Sequence, residues 1–143
     1  MPDGKSLVSV SADASARLWE ISTHRELAEF DRSVNGFWSV TVSPDGSRIA
    51  AGTYEGSIKI WNPGPAQELL TLKIGFTQRH AYARTVWGLT FLPDGNTLVS
   101  STESEIRAWR APSWKEIAEA EEEQRQEMQR LDGSTNREAR AKP

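Results

Sequence analysis

Ser43-Pro44-Asp45-Gly46, followed by Arg48-Ile49-Ala50-Ala51-Gly52-Thr53 and then Ser57-Ile58-Lys59-Ile60-Trp61, decides how this chain folds. The stretch reads as a tight turn, a strand, a second turn and a second strand. Pro44 presets φ for a turn, the Asp45 carboxylate can accept from the backbone ahead of it, and Gly46 supplies a positive φ. Ile58 and Ile60 alternate with Ser57 and Lys59, the period of two that marks a half-buried strand, and Trp61 closes it. The unit recurs on both sides. Pro2-Asp3-Gly4 leads to Arg17-Leu18-Trp19, and Pro93-Asp94-Gly95 leads to Arg107-Ala108-Trp109.

The spacings make this an internal repeat. Pro2, Pro44 and Pro93 stand 42 and 49 positions apart, and Trp19, Trp61 and Trp109 stand 42 and 48 apart. A period of about 40–45 residues holding several short strands is the signature of propeller blades. The extra length falls in one connection. Glu26 to Trp38 spans 12 positions, whereas Glu68 to Trp87 spans 19. A one-residue deletion near Glu103 accounts for the difference between the last two spacings.

The totals bound the rest. The 143 residues carry 17 basic and 20 acidic side chains, a net charge of −3, so there is no electrostatic reason to expect nucleic acid or an anionic membrane as partner. With no cysteine, disulfides and thiolate ligands are excluded, and a reducing, cytoplasmic setting is expected. No apolar run has the length of a membrane span, and the N-terminus has no signal-peptide pattern. His24 and His80 are far apart in the chain, with no carboxylates at metal-ligand spacing. Neither a G-x-S-x-G elbow nor a glycine-rich phosphate loop occurs. No catalytic residue and no cofactor is therefore expected.

Over residues 2–110 the sequence resembles the WD-repeat β-propeller family, on Phe37-Trp38-Ser39-Val40-Thr41-Val42-Ser43-Pro44-Asp45-Gly46 and the two strands ending at Trp61, present in three copies. The resemblance implies an all-β fold of four-stranded antiparallel blades, with strands a to d running outward from a central channel. Residues 6–11, 15–20 and 26–30 are then b, c and d of a first blade, and 37–42, 48–52, 57–61 and 69–74 make a complete second. Residues 86–91, 97–101 and 105–110 are a, b and c of a third. The first blade lacks a and the third lacks d. The expected division is residues 1–111 as blades (repeats about 2–31, 36–75 and 85–110), 112–132 as a C-terminal helix and 133–143 as a disordered tail. The helix rests on the capping box Ser113-Trp114-Lys115-Glu116 and the stop at Gly133.

The incomplete blades make the chain read as the C-terminal fragment of a longer, bacterial-type WD-repeat protein. The resemblance implies a non-catalytic scaffold for protein partners, or for the missing blades of its own full-length chain. Two alternatives stand beside it. One is the non-catalytic part of a signalling enzyme, for example a kinase-linked one, whose catalytic domain lies elsewhere. The other is a structural ring self-assembled from copies of this chain, against which the missing a and d strands do not complement each other simply.

The family's polar set in each blade joins a Trp on c, a Ser or Thr on b and an Asp in the b–c turn, with a His before a. Here it maps to Trp19, Ser11 and Asp13; to Trp61, Thr53 and Glu55; and to Trp109, Ser101 or Thr102, and Glu103. The His is absent, with Ser33 and Tyr82 at its place. These residues are expected to be architectural. The candidate protein-binding residues are Trp38 and Trp87, each six before its proline at the entry to strand a, with Arg79, His80, Tyr82 and Arg84 in the lengthened connection. Tyr, Trp and Arg are the residue types enriched among interface anchors. The alternative for the tryptophans is packing between neighbouring blades.

Overall fold

The computed structural model describes residues 1–32, 36–74 and 84–111. The chain divides by contact into Met1–Arg110 and Ala111–Pro143. The expected C-terminal helix, the tail and most of the lengthened connection lie outside the described residues.

Ten strands occur among the described residues: β1 (Ser6–Val10), β2 (Ser15–Glu20), β3 (Arg25–Arg32), β4 (Phe37–Val42), β5 (Ile49–Thr53), β6 (Ser57–Asn62), β7 (Gln67–Lys73), β8 (Gly88–Phe91), β9 (Thr97–Ser101) and β10 (Ile106–Arg110). They form three antiparallel meanders, β1-β2-β3, β4-β5-β6-β7 and β8-β9-β10. The complete second blade and the two three-stranded ones follow the sequence expectation, strand for strand.

The turns explain why the strands begin where they do. Gly4, Gly46 and Gly95 adopt φ of +65°, +73° and +69°, and each preceding aspartate caps the strand that follows. Asp3 Oδ1 accepts from the Lys5 and Ser6 amides at 2.9 and 3.1 Å. Asp94 Oδ1 accepts from the Asn96 and Thr97 amides, both at 2.9 Å, and its Oδ2 from the Thr97 hydroxyl at 2.7 Å. The middle turn has Arg48 where the others have Ser6 and Thr97. Asp45 turns instead to the Ser43 hydroxyl at 2.5 Å and to the Ser47 amide and hydroxyl at 3.0 and 2.7 Å. The Ser43 hydroxyl first, with the Ser47 amide and hydroxyl in support, holds the Asp45 carboxyl well below the ordinary range, at about 2.

The core lies between blades. Ile49, Ala51 and Trp61 on one face of the second sheet pack with Val8, Ala16 and Leu18 of the first, and Phe37 seals the seam. Ala50 and Ile58 on the opposite face pack with Val86 and Leu98. Trp61 and Ile49 are fully buried; burying side chains of this size stabilises by about 1.5–3 kcal/mol each. Phe30 and Phe37 flank the Trp61 ring, both at 5.8 Å between centroids.

Polar contacts pin the same seams. Lys59 Nζ reaches Asp31 Oδ2 on the first sheet at 2.5 Å and Glu68 Oε2 on its own at 3.1 Å. Burial alone would lower the Lys59 pKa; the two carboxylates outweigh it and raise it. On the other side Arg48 Nη2 donates to Gly95 O at 2.5 Å, and its guanidinium lies 5.6 Å from the Phe91 ring centre.

Candidate functional site

Each blade's entry strand begins on the blade before it. The Phe37 amide donates to Ser11 O at 2.9 Å, and the Val86 amide, at the same repeat position, to Thr53 O at 3.1 Å. Phe37 and Val86 are thereby drawn into the seam, 2% and 0% exposed. The next residue in each copy must then face away. In the second blade the register slips between Phe37 and Ser39, so that Phe37 pairs with Thr53 and Ser39 with Gly52. Trp38 is the extra residue of this β-bulge, a device that re-aims a side chain. In the third blade the Trp87 amide donates to Ser101 O at 2.9 Å, just ahead of β8.

The outcome is an aromatic surface. Trp38 and Trp87 are 47% and 42% exposed. Their rings meet edge to face, 4.8 Å between centroids and 79° between planes. Tyr54 completes the set, 5.5 Å and 75° from Trp38. The two sequence candidates thus stand side by side on one surface, contributed by two blades. Tyr54 was not among the expected residues. It sits in the β5–β6 turn, and nothing in the repeat pattern marks it; its amide bond to Gly36 O at 3.2 Å fixes it beside the bulge.

Arg84 is half-buried and lies against the β5–β6 turn, where its carbonyl oxygen would be 3.0 Å from a Cβ placed on Gly56. Arg79, His80 and Tyr82 fall outside the described residues.

The expected polar set has different bonds from those the family resemblance implies. Trp19 Nε1 donates to Ser9 Oγ at 2.8 Å, not to Ser11. Trp109 Nε1 donates to Ser100 Oγ at 2.9 Å, not to Ser101. The reason is the pleat. Trp19 pairs with Leu7 and Trp109 with Leu98, so the serine within reach is two residues beyond that partner on the same face. Ala51 holds this place in the second blade, since Trp61 pairs with Ile49. Trp61 Nε1 is accordingly buried with no hydrogen-bond partner among the described residues.

Ser11, Thr53 and Thr102 hold the b–c turns instead. Ser11 Oγ accepts from the Asp13 amide at 3.2 Å, Thr53 Oγ1 from the Ser57 amide at 3.0 Å, and Thr102 Oγ1 from the Glu105 amide at 3.2 Å. Asp13 Oδ1 accepts from the Ser15 hydroxyl and amide at 2.7 and 2.9 Å, and these bonds, the hydroxyl first, lower its pKa. Glu55 and Glu103, one methylene longer, are exposed. Among the described residues no three His, Cys, Asp or Glu side chains are grouped to hold a metal, and no helix is long and apolar enough to cross a membrane.

This architecture matches known proteins. The family model described as "WD domain, G-beta repeat" matches residues 25–62 and 72–110. The chain is 23% identical over 103 residues to Protein groucho of Drosophila melanogaster, covering 72% of this chain and 13% of that protein. It is 29% identical over 109 residues to Small ribosomal subunit protein RACK1y of Oryza sativa subsp. japonica, covering 76% and 30% respectively. Among solved structures, the crystal structure of RRP9 WD40 repeats superposes with a TM-score of 0.67 at 23% identity, over 77% of this chain and 33% of that one. The chain therefore spans less than a third of each of these two relatives. They are eukaryotic, so the expectation of a bacterial-type protein has no support.

Proposed function

The chain belongs to the WD40 repeat family, and from that premise we propose that it is a non-catalytic protein-interaction scaffold whose contact surface centres on Trp38, Trp87 and Tyr54. The observation that carries the reading is the pair of half-exposed tryptophans in edge-to-face contact across two blades. Two large aromatic rings held open to water forgo the burial available to Phe37 and Val86 one residue earlier. Covering them offers a partner a rigid anchor at little conformational cost, and aromatic side chains dominate interface hot spots. Because the rings touch each other, no slot opens between them. A partner would lie across their outer faces, with an apolar or arginine side chain in contact.

The proposal places this surface in the cytoplasm, where a cysteine-free chain is at no disadvantage. The rest of a longer protein would determine which pathway uses it. The test is affinity capture from a eukaryotic cell extract with the intact chain and with Trp38→Ala/Trp87→Ala as bait. Proteins held by the former and lost with the latter are then identified and re-bound as pure proteins. Equal capture by the two baits would sink this surface as the contact site.

A further inference from the structure

The acidic residue of the β1–β2, β5–β6 and β9–β10 turns is used differently from blade to blade. In the first blade it is Asp13, whose carboxylate is taken up by the Ser15 amide and hydroxyl. In the other two it is Glu55 and Glu103. There Thr53 Oγ1 and Thr102 Oγ1 accept from the turn amides, so neither glutamate is needed to close its turn. Both are exposed, and neither makes a hydrogen bond or an ion pair among the described residues. The acid is thus free in the two blades that contribute the tryptophan pair.

These carboxylates border the aromatic surface. Glu55 follows Tyr54, whose ring meets Trp38. Glu103 lies two residues beyond Ser101, whose carbonyl holds the Trp87 amide. The other charges nearby are less open. Arg84 is half-buried against the β5–β6 turn, and Arg107 pairs with Glu105 at 3.0 Å. On the three turns and the described entry segments, residues 11–14, 36–38, 53–56, 84–87 and 101–105, every exposed charge is a carboxylate. The rings themselves suit a cation. In an edge-to-face pair the ring that offers its edge keeps both of its own faces clear of its partner, and the electron-rich face of an indole is the best aromatic seat for a positive group.

We propose that the occupant of this surface is an arginine-bearing segment of another protein, its guanidinium stacked on an indole of the pair and its N–H groups donating to the carboxylate of Glu55 or Glu103. The inference rests on the aromatic contact surface proposed above and names what covers it. A proline-rich or purely apolar segment would cover the rings but leave two carboxylates to be desolvated without a donor, which opposes binding. A lysine segment would match the charge but not the shape. Arginine presents a plane that stacks on an aromatic ring and a fork that fits a carboxylate with two parallel hydrogen bonds. The rings thus supply contact area, and the carboxylates supply selection.

The probe is the peptide N-acetyl-Gly-Arg-Gly-Arg-Gly-amide, added to the full chain labelled with nitrogen-15 at tryptophan, whose indole signals are assigned by substitution. The Trp38 and Trp87 signals are expected to move to saturation while that of the buried Trp61 stays. Replacing both arginines of the peptide by lysine is expected to weaken binding several-fold, and replacing them by proline to abolish it. Glu55→Gln/Glu103→Gln changes two exposed side chains and keeps the fold by circular dichroism. It is expected to weaken the arginine peptide about tenfold and to flatten the dependence on salt, read by anisotropy of a fluorescein-labelled peptide. Trp38→Ala/Trp87→Ala is expected to abolish binding in the same assay. No movement with the arginine peptide, an equal response to the lysine or proline peptide, or undiminished binding by either variant overturns the proposal. Capture from extract separates this from the surface itself. A partner lost with Trp38→Ala/Trp87→Ala but held equally by Glu55→Gln/Glu103→Gln would leave the contact surface standing and overturn its arginine-bearing occupant.

Discussion

Trp61 is the residue where the repeat departs furthest from itself. Its indole is fully buried and its N–H has no acceptor among the described residues, while Trp19 and Trp109 each have a serine. A buried unsatisfied donor costs about 1–3 kcal/mol. Ala51→Ser restores the missing acceptor and is expected to raise stability by about 1 kcal/mol, read as a higher urea midpoint with an unchanged m-value. Ser100→Ala makes the opposite change in the third blade and is expected to lower it. No gain from Ala51→Ser would mean that the second seam has no room for the hydroxyl. The turn aspartates give a second test. Hydrogen bonds from Ser43 and Ser47 hold the Asp45 carboxyl at about 2, and those to Asp3, Asp13 and Asp94 lower theirs as well. Each therefore favours folding in its ionised form. For all four that contribution is present above the ordinary aspartate pKa and is lost as pH falls below it, for Asp45 toward about 2. Thermal unfolding is expected at lower temperature at about pH 3 than at about pH 5, and Asp45→Asn should narrow the difference.

At the scale of elements, the seams depend on close backbone approach as much as on large side chains. A Cβ on Gly52 would stand 2.5 Å from Val86 Cβ and 2.7 Å from Ser39 Oγ, with Ser39 Oγ already donating to Val86 O at 2.7 Å. Gly52→Ala must push the second and third blades apart, and a loss of about 1–3 kcal/mol is expected from such overpacking, measured by urea unfolding. The strands themselves were legible in the sequence. Pro-Asp-Gly turns and period-two patterns are local signals, and β2, β4 and β9 fall on the residues those signals name. The Trp–Ser bonds were not legible in the same way. The family resemblance maps the partner to Ser11 in the first blade and to Ser101 or Thr102 in the third, but the pleat decides which serine shares a face with the tryptophan, and that depends on pairing between strands. Tyr54 escaped for a related reason. Only the bulge at Trp38 brings a turn residue of one hairpin beside an entry residue of another. The architecture was carried by short-range chemistry; the aromatic surface is assembled from three separate stretches.

At the scale of the molecule, Trp61 and Trp109 lie in the seams between blades, whereas Trp38 and Trp87 stand about half in water. Trp61→Ala empties the first seam, where Phe30 and Phe37 rest on the ring, and is expected to cost about 3–5 kcal/mol, enough to unfold a chain of ordinary stability. Trp38→Ala/Trp87→Ala removes rings that are about half in water and is expected to leave the melting temperature nearly unchanged, as circular dichroism would record. A large drop would mean that this pair is structural. The two equivalent amide bonds, Phe37 to Ser11 O and Val86 to Thr53 O, have a bearing on birth rather than on equilibrium. In each, the acceptor precedes the donor in the chain, by 26 and 33 residues, about two-thirds of a repeat. A polypeptide leaving the ribosome N-terminus first has already exposed the carbonyl when the amide that needs it emerges. Synthesis and assembly therefore run in the same direction, each blade laid down on the one just made.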